Sequence, residues 1–216
     1  VADGLYGYWP EAPFDRIVAA CSFRAVPPGL LAQARPGGKI LLTLSGWLYG
    51  YARVLLTVAE DGTAGGPLLP GTVSFMSART HAAPAFGNPA HWAAGLPEKP
   101  RTARHTPERI TAASEEAFHS RFLAQCAVPG AQVVTGSEAV HLVDVVTGSV
   151  STLLLEEGSW AVREGGPVRL WERVECVLDA YDAAGRPEPG TFTLHVDDSG
   201  QYLRHPRMPG LVLPRP

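Results

Sequence analysis

The chain has 216 residues, 45% of them hydrophobic and 18% charged, which is the balance of an ordinary soluble globular protein large enough to bury a core. Its net charge of −3 and isoelectric point near 6.2 exclude a general phosphate-backbone binder, whose affinity needs many Lys and Arg. Three cysteines, Cys21, Cys126 and Cys176, lie far apart with neither zinc-site nor disulfide spacing. No apolar run approaches the roughly 18 to 20 residues of a membrane span. A reduced, cytoplasmic protein with neither nucleic acid nor membrane as partner is expected.

Asp15 to Ser22 carries the run Ile17-Val18-Ala19-Ala20-Cys21, which suits a strand of a parallel sheet buried on both faces. Pro27-Pro28 then opens a short helix over Gly29 to Ala34, and Arg35-Pro36-Gly37-Gly38 ends it. Lys39 to Leu44 is a second buried strand, so the order strand, helix, strand predicts a βαβ unit with a right-handed crossover. Tyr51 to Ala59 alternates as a third strand, Glu60-Asp61-Gly62-Thr63 turns, and Gly71 to Ser77 supplies a fourth. Ala82 to Lys99 is rich in Pro, Ala, Gly and His without periodicity and reads as a linker.

Beyond it, Thr106-Pro107-Glu108 looks like a helix start, and Ser114-Glu115-Glu116 begins a longer helix reaching Cys126. Short β segments follow at Gln132 to Thr135, Val140 to Val146, Ser149 to Leu155 and Trp160 to Arg163. After Pro167, the helical spacing of Leu170, Trp171, Val174, Val177, Leu178 and Tyr181 marks the strongest helix, which Gly185 stops. Thr191 to Val196 and Gln201 to Arg204 flank Asp197-Asp198-Ser199-Gly200 as a hairpin. The division expected is residues 1–80, a linker over 81–104, and a small α+β extension over 105–216.

Asp3-Gly4 is the first candidate for chemistry, either as a plain turn or as an acidic group at the carboxyl end of a preceding strand, where open parallel sheets bind ligands. Cys21 and Ser22 end the next strand, yet no His lies within the first 80 residues to activate either as a nucleophile. They are read as packing and substrate-lining groups. The seven histidines show no metal-ligand spacing and read as structural, and the pairs Glu156-Glu157 and Asp197-Asp198 read as solvated turns. No metal is expected.

Asp3, Gly4, Gly7, Tyr8, Ala12, Pro13, Phe14 and Asp15, then Val26-Pro27, then Gln33 with Pro36-Gly37-Gly38-Lys39, resemble in order and spacing the protein-L-isoaspartate O-methyltransferase family. The resemblance implies the second half of a class I, Rossmann-like α/β methyltransferase sheet using S-adenosylmethionine. It places Asp3, Gly4 and Leu5 on the adenine side of the donor, and Ala20, Cys21, Ser22, Phe23 and Ser45 around the acceptor.

Methyl transfer to a carboxylate explains the missing base, because the acceptor is already an anion at neutral pH. The enzyme's task is then in-line alignment away from water. Arg169-Leu170-Trp171-Glu172-Arg173-Val174-Glu175, Gly185-Arg186-Pro187 and Phe192-Thr193-Leu194 further resemble the extension of relatives that mature ribosomal peptides such as lanthipeptides and graspetides. That branch implies methylation of a peptide aspartate, which then closes to an aspartimide or isoaspartate. The alternatives are isoaspartyl protein repair, or a non-catalytic peptide-binding module. The family's glycine-rich donor turn and following acidic residue do not occur here, so the chain is expected to be a fragment lacking the N-terminal half of that domain and, alone, to bind the donor poorly.

Overall fold

The computed structural model describes residues 3–71, 73–96, 99–136 and 138–215. It divides into two compact units, one of residues 1–46, 51–82 and 183–216 and the other of residues 47–50 and 83–182.

In the first unit, β1 (Phe14–Phe23), α1 (Pro28–Ala32) and β2 (Ala34–Ser45) form the expected strand, helix, strand, with β1 and β2 parallel. Arg35 to Gly38, expected as a helix-ending break, are absorbed into β2 as an irregularity. The register moves from Phe14↔Ala34 to Arg16↔Lys39 while Gly37 adopts φ +75°. β1 is not buried on both faces as expected. It ends the sheet, and alternate side chains face solvent, with Val18 72% exposed.

β3 (Tyr51–Val58) runs antiparallel to β2 and buries every second residue. β4 (Ala64–Leu69) follows the expected turn at once, where Asp61 Oδ1 accepts from Thr63 N and Oγ1 at 3.0 and 2.7 Å. The fourth strand expected over Gly71 to Ser77 is therefore displaced, and Thr72 lies outside the described residues. Close backbone approach explains a glycine inside β4: a Cβ on Gly66 would stand 1.9 Å from the Leu55 carbonyl oxygen.

The second unit holds α2 (Pro89–Ala93), β5 (Arg101–Thr102), α3 (Glu108–Thr111), α4 (Glu115–Ala127), β6 (Gln132–Thr135), β7 (Ala139–Asp144), β8 (Ser149–Glu156) and β9 (Ser159–Gly165). Most of α5 (Leu170–Ala183) belongs here too. The strands form one antiparallel sheet in the order β5-β9-β8-β7-β6. The expected linker is thus part of a folded unit, because Asn88 caps α2 and β5 pairs with β9. All six apolar positions read on α5 are buried, and Trp171, Val174 and Leu178 pack with Leu142, Leu153 and Ile110. Glu164 sets the start of α5 three residues past Pro167, its Oε1 accepting from Trp171 N at 2.8 Å.

The chain then returns to the first sheet. β10 (Thr193–Asp197), β11 (Gly200–His205) and β12 (Met208–Val212) complete a seven-stranded order β1-β2-β3-β4-β10-β11-β12, with β10 antiparallel to β4. The division at residues 80 and 104 is redrawn accordingly: residues 183–216 belong with the N-terminal sheet, and 83–182 form the other unit. The β10–β11 hairpin falls where expected, whereas β12, with Pro209 and Gly210 at its centre, has no alternating pattern to betray it.

Gly66→Ala is expected to lower stability by about 2 to 4 kcal/mol in urea denaturation, the range of a backbone clash in a packed strand. Gly95→Ala, where a Cβ meets nothing within 4 Å, should change it by less than about 0.5 kcal/mol.

A second expectation concerns His119, 7% exposed and edge-on to Tyr181 at 5.4 Å between ring centres. Burial pushes its pKa down to about 4 from 6.5, so the unfolded chain takes up a proton that the folded one refuses. Stability is full above pH 6.5 and falls as the pH drops from there toward 4, by about 3 kcal/mol at the limit. Urea midpoints measured across that window should fall in the wild type and fall less in His119→Phe.

Candidate functional site

The carboxyl ends of β1 and β2 bring Ser22 and Ser45 together. Both are buried, Ser45 Oγ donates to Ser22 Oγ at 2.9 Å, and Ser22 Oγ donates to the Phe75 carbonyl at 3.0 Å. A third hydroxyl joins them from a segment read as ordinary strand. Ser77 Oγ lies 3.4 Å from each of the other two, and its own side is exposed. Its backbone explains the placement, because Ser22 N donates to Met76 O and Ala78 N donates to Ser22 O, a single parallel bridge on the free side of β1.

The same segment carries His81 to this corner. The backbone N–H of Arg24 donates to His81 Nδ1 at 3.1 Å, which assigns the proton of the neutral ring to Nε2. Phe23 lies edge-on to the ring at 6.1 Å between centres. Burial, and then the Arg24 charge, push the His81 pKa down, against a smaller opposing pull from Asp3, so the ring is neutral at pH 7. A histidine does stand beside β1, one residue past the stretch in which the sequence shows none.

Of the expected acceptor residues, Ser22 and Ser45 are brought together and half-buried Cys21 precedes Ser22 in β1. Ala20 points to solvent, and Phe23 is a core side chain, 1% exposed. Burial pushes the Cys21 thiol up, and Asp3 pushes the same way, so it is protonated at neutral pH and a poor nucleophile.

Asp3, Gly4 and Leu5 form an exposed turn with Tyr6, in which Asp3 Oδ1 accepts from Leu5 N at 3.0 Å. Residues 1 and 2, which would carry the strand before them, lie outside the described residues. Gln33 ties this segment to α1: its Nε2 donates to Tyr6 O at 2.6 Å and its Oε1 accepts from Tyr8 N at 2.7 Å. Gly7 lies where a Cβ would stand 2.4 Å from that amide.

As a donor site this is incomplete. One Asp3 oxygen already serves the turn, and no glycine-rich strand-to-helix turn occurs among the described residues for a nucleotide-like donor to approach. The residues present do not by themselves fit S-adenosylmethionine. No His, Cys, Asp and Glu side chains among the described residues group in threes as metal ligands would.

Residues 1–58 match the family model described as protein-L-isoaspartate(D-aspartate) O-methyltransferase. This stretch is similar to that family. It is 43% identical over 61 residues to a protein-L-isoaspartate O-methyltransferase of Alcanivorax borkumensis, covering 28% of this chain and 26% of that one. Protein-L-isoaspartate O-methyltransferase 1 of Cupriavidus necator is 36% identical over 63 residues, 29% of this chain and 24% of its own. The chain thus spans about a quarter of the length of these relatives. A solved protein-L-isoaspartate O-methyltransferase aligns with 94% of this chain and 58% of its own at 14% identity and TM-score 0.42, too distant a likeness to bear on function. Among the site residues the family likeness therefore covers Asp3 to Ser45, and it leaves Ser77, His81 and all of the second unit except Trp47 to Gly50 outside it.

Thiol reactivity tests the assignment of Cys21. With an aromatic disulfide reagent at pH 7.5, exposed Cys176 should react first and Cys21 more slowly. Cys126, buried with its pKa pushed up to about 12, should react only on unfolding. A Cys21 that outpaced Cys176 would overturn its reading as a packing group.

Proposed function

We propose that this chain is the acceptor-side part of an S-adenosylmethionine-dependent carboxyl O-methyltransferase acting on aspartate or isoaspartate in a peptide or protein. The observation that carries the reading is the match of residues 1–58 to the isoaspartyl methyltransferases, a family that uses that donor. The local chemistry supports it. Cys21 is protonated, the Ser22 and Ser45 hydroxyl protons are engaged with each other and with Phe75, and His81 is neutral. Such a set is poor at making a nucleophile and suited to an acceptor that brings its own negative charge. Exposed Ser77 offers a hydroxyl to orient the carboxylate, above two buried serines that fix its place. The donor itself would be held mainly by residues outside this chain, with Asp3 as an adenine-side acceptor.

Two substrates are compatible with this chemistry. Repair of isoaspartate in damaged proteins is favoured by the names of the relatives. Tailoring of a ribosomal peptide, with an aspartyl ester closing to an aspartimide, is favoured by the second unit, which lies wholly outside the matched 58 residues apart from Trp47 to Gly50.

Calorimetric titration with S-adenosylhomocysteine separates the chain from its parent. Residues 1–216 alone should give no heat, while the product of the full reading frame should bind and transfer labelled methyl to an isoaspartyl peptide or to a cyclised precursor. No heat from the full product removes the enzyme reading, and the preferred acceptor decides between repair and tailoring.

A further inference from the structure

Residues 75–82 run beside the carboxyl end of β1, on the side away from β2, and their contact with it begins as an ordinary parallel ladder. Ser22 N donates to Met76 O at 3.0 Å and Ala78 N donates to Ser22 O at 2.9 Å. Because the bonds of a parallel ladder are evenly spaced, the next rung would run from Arg24 N to Ala78 O. That rung is not made. Ala78 O is turned back into the 3-10 turn Arg79–His81, where it accepts from His81 N at 2.8 Å. The imidazole of the same His81 stands in for the lost carbonyl, its Nδ1 accepting from Arg24 N at 3.1 Å.

Unlike a carbonyl, this acceptor can be titrated away. A ring protonated on both nitrogens carries two donors and no free lone pair, so the Arg24 N–H would face another N–H. The surroundings set the direction of the effect. Burial, with Phe23 edge-on to the ring, and then the like charge of the Arg24 side chain hold the pKa of the seated ring below its usual 6.5, against a weaker pull from Asp3 in the N-terminal turn. An unseated ring takes up a proton more readily than the seated one. Seating is therefore complete above pH 6.5 and is lost as the pH falls from there through the lowered value.

We propose that His81 is a proton-sensitive latch, which fastens residues 75–82 to the free side of β1 when neutral and loosens them when protonated. The latch rests on no functional reading of the chain. Its consequence for the serine cluster is direct, because Ser77 is carried by the latched segment while Ser22 and Ser45 belong to the sheet. One hydroxyl of the three is thus placed by a group that titrates.

Amide hydrogen exchange of the 216-residue chain, read by NMR as protection factors so that the intrinsic pH dependence of exchange cancels, tests this at Ser22, Arg24 and Ala78. Between pH 7.5 and pH 5 protection at these amides should fall by up to about fivefold, the worth of one hydrogen bond, and by more than at reference amides of the β2–β3 ladder. His81→Asn, whose side-chain carbonyl can accept the same N–H without titrating, should show no fall beyond that of the reference amides. His81→Ala should start about fivefold lower at pH 7.5 and likewise show no such fall. The asparagine variant reads out even if the alanine variant fails to fold. An unchanged wild type, an equal fall in wild type and His81→Asn, or a fall shared equally by the reference amides would each overturn the proposal.

Discussion

Irregular backbone that runs beside a buried sheet must find partners for its amide and carbonyl groups, and in this protein buried glutamines supply them. Gln33, Gln125 and Gln201 each use both ends of the side-chain amide on main-chain groups, at Tyr6 and Tyr8, at Gly50, and at Val26. A carboxamide sets an NH2 donor group and a carbonyl acceptor side by side in a plane, as a strand neighbour sets its N–H and C=O, but needs no regular segment to carry it. Each such bond contributes about 1 kcal/mol, and leaving the same groups buried and unpaired costs more than that. Two of the three hold the surroundings of the serine cluster, the turn of Asp3 through Gln33 and the crossover after Phe23 through Gln201.

The second unit meets a different polar constraint. Glu175 is fully buried, and its charge is met by Arg101 at 2.8 Å, Arg104 N at 2.6 Å and Trp171 Nε1 at 3.0 Å. Its Oε1 takes both hydrogen bonds, while Oε2 has the Arg101 and Arg104 guanidinium groups within ion-pair distance but no hydrogen bond among the described residues, so charge pairing carries that side. Removing Arg101 would take a cationic partner from two carboxylates at once, leaving Glu164 with Ser151 and Trp171 N and Glu175 with Arg104 and Trp171 Nε1. The short β5 is held by Arg101 as well as by its two-residue ladder.

Much of this was legible in the sequence where one periodicity decides the element. The helix containing Trp171, the strands β6 to β9, and the β10–β11 hairpin fall within a few residues of their patterns. Failures came where a long-range partner overrides local signal. The fourth strand was expected at Gly71 to Ser77 and not at Ala64–Leu69 because nothing near Gly66 shows that Leu55 demands a missing side chain there, and β12 drew no expectation because its pairing with β11, not its composition, makes it a strand. At the site, Ser22 and Ser45 were readable from the strand ends. Ser77 and His81 were not, because their placement depends on one backbone bridge fifty-five residues from Ser22 in sequence.

The nesting of the two units bears on how the chain acquires its structure. The strand that pairs with β4, Thr193 to Asp197, is separated from it by the whole of the inserted unit. During synthesis, residues 83–182 emerge complete and have all their sheet partners before the first sheet does. Until residues 183–216 have left the ribosome, the edge of β4 that takes β10 is unpaired and the Leu68 amide lacks its acceptor at the Phe192 carbonyl. Distant pairings of this kind raise contact order and slow the closing step. The first sheet is therefore finished after the inserted unit, and is the more exposed of the two to strand exchange or chaperone capture while the chain is young.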